Sequence, residues 1–235
     1  MKGADRNMPN GIPYTNFSFL FWLFIAGSLL GMLLEGIFCF VRKQKWETHT
    51  VTIWGPFCII YGIGAVVFYL GAVYYSNLHL GWQFVLFSAD ATVIEYLCGA
   101  LLRYGLRMKA WDYSKNFLNL QGLICLKMTL VWGAAGVLFA GYIVPEFSGW
   151  YEFFRNPLCV AFTFAFAVFM AINFIMTFLC IVRWAKRHRG IVARTRFGQH
   201  IDHKYGDEKM EKRFCEWKFL VDEDLNRKAV IVSKY

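Results

Sequence analysis

The stretch FSFLFWLFIAGSLLGMLLEGIFCFV, residues 17–41, holds a single charged residue, Glu35, in about 25 positions. A hydrocarbon core of about 30 Å takes about 20 helical residues, so this run is long enough to cross it. It ends in Arg42-Lys43-Gln44-Lys45 without a small-residue cleavage site, so it reads as a retained span and not as a removable signal peptide. Four further apolar runs follow, at 53–75, 81–102, 122–144 and 158–182, making five predicted spans with 16–41. The breaks carry helix-stopping or turn chemistry: Ser76-Asn77, the stretch 103–119, Pro145 and Asn156-Pro157. Pro157 is placed to occupy a first helical turn. Composition agrees, with 57% hydrophobic, 19% aromatic and 17% charged residues and a mean hydropathy of +0.40. So much apolar surface requires lipid. The expected fold is therefore an all-α, polytopic transmembrane helix bundle over residues 1–182, followed by a basic tail, 183–235, that is partly amphipathic helix.

The net charge of +9 is concentrated beside the spans. Arg42, Lys43 and Lys45 mark the first loop; Arg103, Arg107, Lys109 and Lys115 the third; Arg183, Lys186, Arg187 and Arg189 open the tail. The second loop has neither lysine nor arginine, and the fourth sets Arg155 against Glu146 and Glu152. The positive-inside rule then puts the N-terminus outside and the C-terminus in the cytoplasm of a multi-pass plasma-membrane protein. Lys2 and Arg6 lean the other way and are outvoted. Basic residues so placed suit the lipid bilayer and its anionic headgroups, not nucleic acid.

Four ionisable residues stand inside the apolar runs: Glu35, Asp90, Glu95 and Lys127. Each costs about 2.5 to 3.5 kcal/mol at a helix centre on insertion scales, so something must compensate it. The predicted orientation carries Glu35, Glu95 and Lys127 toward the cytoplasm. Arg103, Trp111, Asp112 and Tyr113 lie in the loop at that face, and the second span opens there with Trp54-Gly55-Pro56-Phe57-Cys58. One polar cluster at the inner leaflet is expected. It suits a cytoplasm-facing cavity for a cation, proton or polar headgroup, and it equally suits ion pairs that hold helices together. Asp90, halfway along its span, is expected to face another helix as a neutral donor. Gly27 and Gly31 form G-x-x-x-G, which suits close helix packing or self-association into a homo-oligomer. Gly55, Pro56, Tyr61, Gly62 and Gly64 suit either packing or an irregular helix start whose freed backbone groups line a cavity. Neither internal repeats nor low-complexity tracts are expected.

The chain contains no G-x-x-x-x-G-K-[ST] loop, so ATP coupling would need a partner. No G-x-S-x-G, H-E-x-x-H or E-x-x-H pattern occurs, which leaves carboxylate-only catalysis as the one enzymatic route open. No cofactor and no metal is implied. His200 and His203, three apart in the tail, suit a solvated pair better than a metal site, and six of the seven cysteines sit in or beside apolar runs as small hydrophobes.

The string Gly55-Pro56-Phe57-Cys58-Ile59-Ile60-Tyr61-Gly62-Ile63-Gly64-Ala65, Glu35 before it, then Glu95-Tyr96, Trp111-Asp112-Tyr113-Ser114, Asn119, Gly122 and Ile124-Cys125-Leu126 follow in order. Over residues 17–145 this pattern resembles the CmpB-like ABC-transporter type IV family of bacterial membrane proteins. The chain departs from that family's pattern at Arg103 and Lys127, where an acidic residue is usual, and at Leu123, where an arginine is. The resemblance implies a permease-like, transport-related subunit working with a separate cytoplasmic ATPase. The alternatives are a lipid-handling membrane enzyme that uses carboxylates and a structural or regulatory membrane partner.

Overall fold

A computed structural model describes residues 16–46 and 52–220. Seven helices are present among them: α1 (Phe17–Lys43), α2 (Ile59–Tyr74), α3 (Leu80–Ala100), α4 (Leu126–Leu138), α5 (Pro157–His188), α6 (Arg196–Lys204) and α7 (Asp207–Arg213). α3 continues as a π-helical turn, Leu101–Leu106, and α4 as another, Phe139–Ile143, followed by a 3-10 segment, Val144–Gly149. The long helices start on side-chain caps. Asn16 accepts from the amides of Ser18 and Phe19, and Asn156 accepts from Leu158 N with Pro157 in the first turn of α5. The protein is 72% helix and 4% strand. The strands are two short antiparallel pairs that tie loops together: β1 (Met108–Lys109) with β4 (Lys218–Phe219), and β2 (Asn119–Leu120) with β3 (Ile124–Cys125).

Four stretches are long and apolar enough to cross a membrane: Phe17–Val41, Leu80–Leu106, Leu126–Phe147 and Pro157–His188. The second expected span is different. Instead of a helix over 53–75, α2 has 16 residues, about 24 Å at 1.5 Å per residue, less than a bilayer core. Its first part, residues 52–58, is irregular because Gly55 takes a left-handed φ of 76° and Pro56 follows it. Away from water such backbone must find partners inside the protein. α5 supplies them. Thr177 Oγ1 accepts from Ile53 N at 2.8 Å, and Asn173 accepts from Trp54 N at 3.1 Å while donating to Trp54 O at 2.7 Å. Arg213 donates from the tail to the carbonyls of Thr52 and Gly55. Of the two readings of Gly55 and Pro56, the irregular helix start is present, and its freed backbone groups are bound by α5 and α7.

α5 also runs to His188, beyond the expected end at 182, because Trp184 and Ala185 are buried beneath the folded tail. Ile201, Met210, Phe214, Trp217 and Phe219 close over them, together with Leu102 and Met108. Asp202 anchors this fold between Arg183 (3.0 Å) and Arg187 (2.6 Å). Partial burial opposes its ionisation, yet the two guanidiniums hold its carboxyl below the ordinary range. The β1–β4 pair joins the tail to the third loop.

The chain contains an internal repeat that the sequence reading did not expect. In α1, Phe24, Gly27, Ser28 and Glu35 each have a counterpart sixty positions on in α3: Phe84, Phe87, Ser88 and Glu95. In α2, Tyr61, Gly62, Ala65 and Phe68 correspond, seventy-one positions on, to Trp132, Gly133, Gly136 and Phe139 in α4. The contacts repeat as well. A Cβ on Gly62 would collide with Ser28 Oγ and come within 2.7 Å of the Phe24 carbonyl; one on Gly133 would collide with Ser88 Oγ and come within 3.0 Å of the Phe84 carbonyl. Both α2 and α4 begin after a cysteine, Cys58 or Cys125, itself three residues after a glycine with positive φ, Gly55 or Gly122. One contact differs in size between the copies: Gly27 packs on Ala65, whereas Phe87 packs on Gly136. Gly27 and Gly31 therefore face α2 within the chain, where a Cβ would meet Ala65 and the Tyr61 ring.

Candidate functional site: a cavity between the two repeats

A cavity of about 230 Å³ opens where the two helix pairs meet. Its lining is itself repeated: Gly31 and Ala91, Leu34 and Ile94, Tyr61 and Trp132, Gly64 and Ala135, Phe68 and Phe139. These walls are apolar. Glu95 is the charged residue in them, and it is 5% exposed. Its Oε1 accepts from the Tyr113 hydroxyl at 2.8 Å, its Oε2 is enclosed, and the Trp132 indole stands beside the carboxyl as a second donor. Glu35, the counterpart of Glu95, accepts from the Tyr61 hydroxyl at 2.5 Å, so it borders the cavity through that ring. Tyr61 in turn meets Trp132 edge to face, with centroids 5.8 Å apart.

The third loop is folded to deliver Tyr113. Asp112 Oδ1 accepts from Ser114 N at 2.9 Å, closing an Asx-type turn, and Oδ2 takes the Lys109 ammonium at 2.7 Å. Partial burial works against ionisation of Asp112, but these donors outweigh it and bring its carboxyl down to about 2. Tyr113 N donates to Gly122 O at 2.9 Å, and Asn119 ties Ser114, Asn116 and Gly122 together. Gly122 has φ +70°, and a Cβ there would come within 2.9 Å of Asp112 Oδ1. Trp111 seals the loop onto α3, its indole donating to Leu123 O at 2.8 Å with its ring over Gly99.

The structure thus brings Glu35, Glu95, Tyr61, Gly64 and Tyr113 around one cavity, with Trp111 and Asp112 shaping the loop that reaches it. Two of the residues expected in the cluster lie elsewhere. Arg103 donates to the backbone carbonyl of Gln121. Lys127 is exposed in the first turn of α4, outside the cavity lining. Asp90, expected to face another helix, accepts from the Tyr75 hydroxyl at the end of α2 at 2.9 Å. Gly62 is a packing contact with α1, and Gly55 and Pro56 form the irregular entry to α2. Sequence reading missed Trp132, Asn173, Thr177 and Arg213. The repeated aromatic-glycine pairs Tyr61-Gly62 and Trp132-Gly133 could have exposed the first, and two polar residues four apart in the apolar α5 the next two.

The family described as Putative ABC-transporter type IV matches residues 22–178, well over half of the chain. The chain belongs to that family. The match takes in all four helices around the cavity and most of α5, so it extends well past residue 145, where the recognised motif strings end. No curated protein and no solved structure matches the chain. Membership and the four long apolar helices together make this an ABC-transporter-related membrane protein.

Proposed function

We propose that the chain is a permease-like subunit whose substrate site is the cavity between the two repeats, open to the cytoplasmic side through Glu35, Glu95 and the third loop. One observation carries this reading: a buried glutamate in the wall of an otherwise apolar cavity. Such a group is costly in a membrane and is retained where a pathway uses it. The third loop and the tail, joined through β1 and β4, form the face offered to a cytoplasmic ATPase. A lipid-handling enzyme would need its carboxylates against a headgroup, and the burial of Glu95 disfavours that.

Isolation of the tagged chain from its native membranes in mild detergent is expected to bring down an ATP-hydrolysing subunit in comparable amount. Inverted vesicles containing both are expected to show ATP-driven uptake from a panel of labelled small solutes, and Glu95→Gln to abolish it with the complex intact. Failure to find either the ATPase or the uptake would sink the transport reading.

A further inference from the structure

The cavity's chemistry narrows the class of molecule it can hold. Its volume of about 230 Å³ is below the usual range for drug-sized ligands. An apolar cavity of about 150 Å³ holds benzene, so this one has room for about nine non-hydrogen atoms. The walls supply aliphatic and aromatic surface but no lysine or arginine, so an anion would find no counter-charge. The charged group in the walls is the Glu95 carboxyl, which accepts from Tyr113 and has no cation opposite it in the lining. The rings of Tyr61, Trp132, Phe68 and Phe139 surround the same space, and ring faces attract cations most strongly where water is excluded. Small residues make the room: a Cβ on Gly64 would meet nothing within 4 Å.

We propose that this cavity binds a compact organic monocation, its ammonium group toward the Glu95 carboxyl and its apolar body among Phe68, Trp132 and Phe139. The proposal rests on the reading of the cavity as a substrate site and gives that substrate a chemical class. The ammonium neutralises the buried charge, while the apolar body displaces whatever fills the space between the repeats. A neutral molecule of the same shape leaves that charge unbalanced. An anion of the same shape is repelled.

The test is calorimetric titration of the full chain in nanodiscs with phenethylammonium, 2-phenylethanol and phenylacetate, three probes of similar shape and different charge. The cation is expected to bind saturably and about tenfold or more tightly than the alcohol, the scale of a hydrogen bond to a charged group, with no binding of the acid. Glu95→Gln is expected to erase the preference for the cation. Gly64→Leu, which leaves the carboxyl untouched and grows into open space, is expected to abolish binding of cation and alcohol alike. Wild-type helical content and a single species in size exclusion are required of both variants. Equal affinity for cation and alcohol, full cation affinity in Glu95→Gln, or no saturable binding would overturn the assignment. Uptake of other solutes that depends on Glu95 without amine binding would remove this inference and leave the transport reading standing. Amine binding in a chain that has no ATPase and no flux would do the reverse.

Discussion

The helix pairs α1–α2 and α3–α4 rest on the same contacts and differ in how they treat their glutamate. In the first pair, Tyr61 of α2 reaches across to Glu35, so the donor comes from the partner helix. In the second, Trp132 stands in the place of Tyr61 beside Glu95, and a hydroxyl from Tyr113 in the third loop reaches that glutamate as well. α4 has one extra helical turn between Cys125 and Trp132 compared with Cys58 and Tyr61, which separates the aromatic residue from the loop. Repetition thus supplies a cavity with matched walls, and the departure from it gives Glu95 a donor from the loop. The entries to α2 and α4 differ in the same way: α5 braces the first, and the loop's own side chains brace the second.

The largest expected break in this comparison is at the brace of the first pair. Asn173→Ala removes the partner of the Trp54 N–H and the shorter of the two hydrogen bonds to its C=O, leaving that carbonyl only Thr52 Oγ1 at 3.2 Å. Each such loss costs about 1 to 3 kcal/mol, so unfolding in mixed micelles should shift by about 3 kcal/mol. No residue of the second pair depends on α5 for its entry in this manner. A shift no larger than that of an exposed α5 control such as Ile175→Ala would mean that water or detergent satisfies Trp54 and that α5 is not the brace.

Next come the two crossing glycines. Gly62→Ala forces Cβ against Ser28 Oγ and the Phe24 carbonyl, and the carbonyl cannot rotate away. At Gly133 the carbonyl stands 0.3 Å further off, at 3.0 against 2.7 Å, and Ser88 Oγ can turn. Overpacking costs about 1 to 3 kcal/mol, and Gly62→Ala is expected toward the upper end with Gly133→Ala below it. Thermal unfolding of the two variants in the same lipid compares them directly. The reverse order would show that the repeat is less alike in backbone than in sequence.

The span positions and the involvement of Glu35, Glu95 and Tyr113 could be read from the sequence because the hydrophobic runs are long and ionisable residues within them are few. The shortened α2 could not. Its residues 53–58 are as apolar as a helix, and only the side chains of Asn173 and Thr177, more than a hundred positions away, make an irregular backbone tolerable there. Lys127 misled because distance along a helix says nothing of the face it occupies. The repeat escaped notice because its residues are scattered at helical spacing and because a contact can change size between copies, as Gly27 on Ala65 does to Phe87 on Gly136.

The third loop should respond to acid. Asp112 has its carboxyl lowered to about 2 in the fold from about 3.9 in an unfolded chain. Its contribution is therefore complete above about pH 4 and is lost as the pH falls toward 2. The side chain is 39% exposed, so the effect is modest. Amide exchange at Tyr113 and Ser114 is expected to quicken over that interval, and Asp112→Asn to flatten the response. A response unchanged in Asp112→Asn would assign the loop's acid sensitivity to another carboxylate.

The smallest effect tests whether the first pair can be moved toward the second. Position 64 is glycine, and its counterpart, Ala135, already carries a methyl group in the cavity wall. Because a Cβ at Gly64 meets nothing within 4 Å, Gly64→Ala adds no clash and removes unfolded-state freedom, a gain of about 0.5 to 1 kcal/mol in a helix. The variant should therefore melt slightly higher than the wild type while the cavity loses about one methyl group of space. A lower melting temperature would mean that the open space beside Gly64 is occupied in the membrane, by lipid or by a bound molecule, and that the glycine is kept for that occupant and not for any contact within the chain.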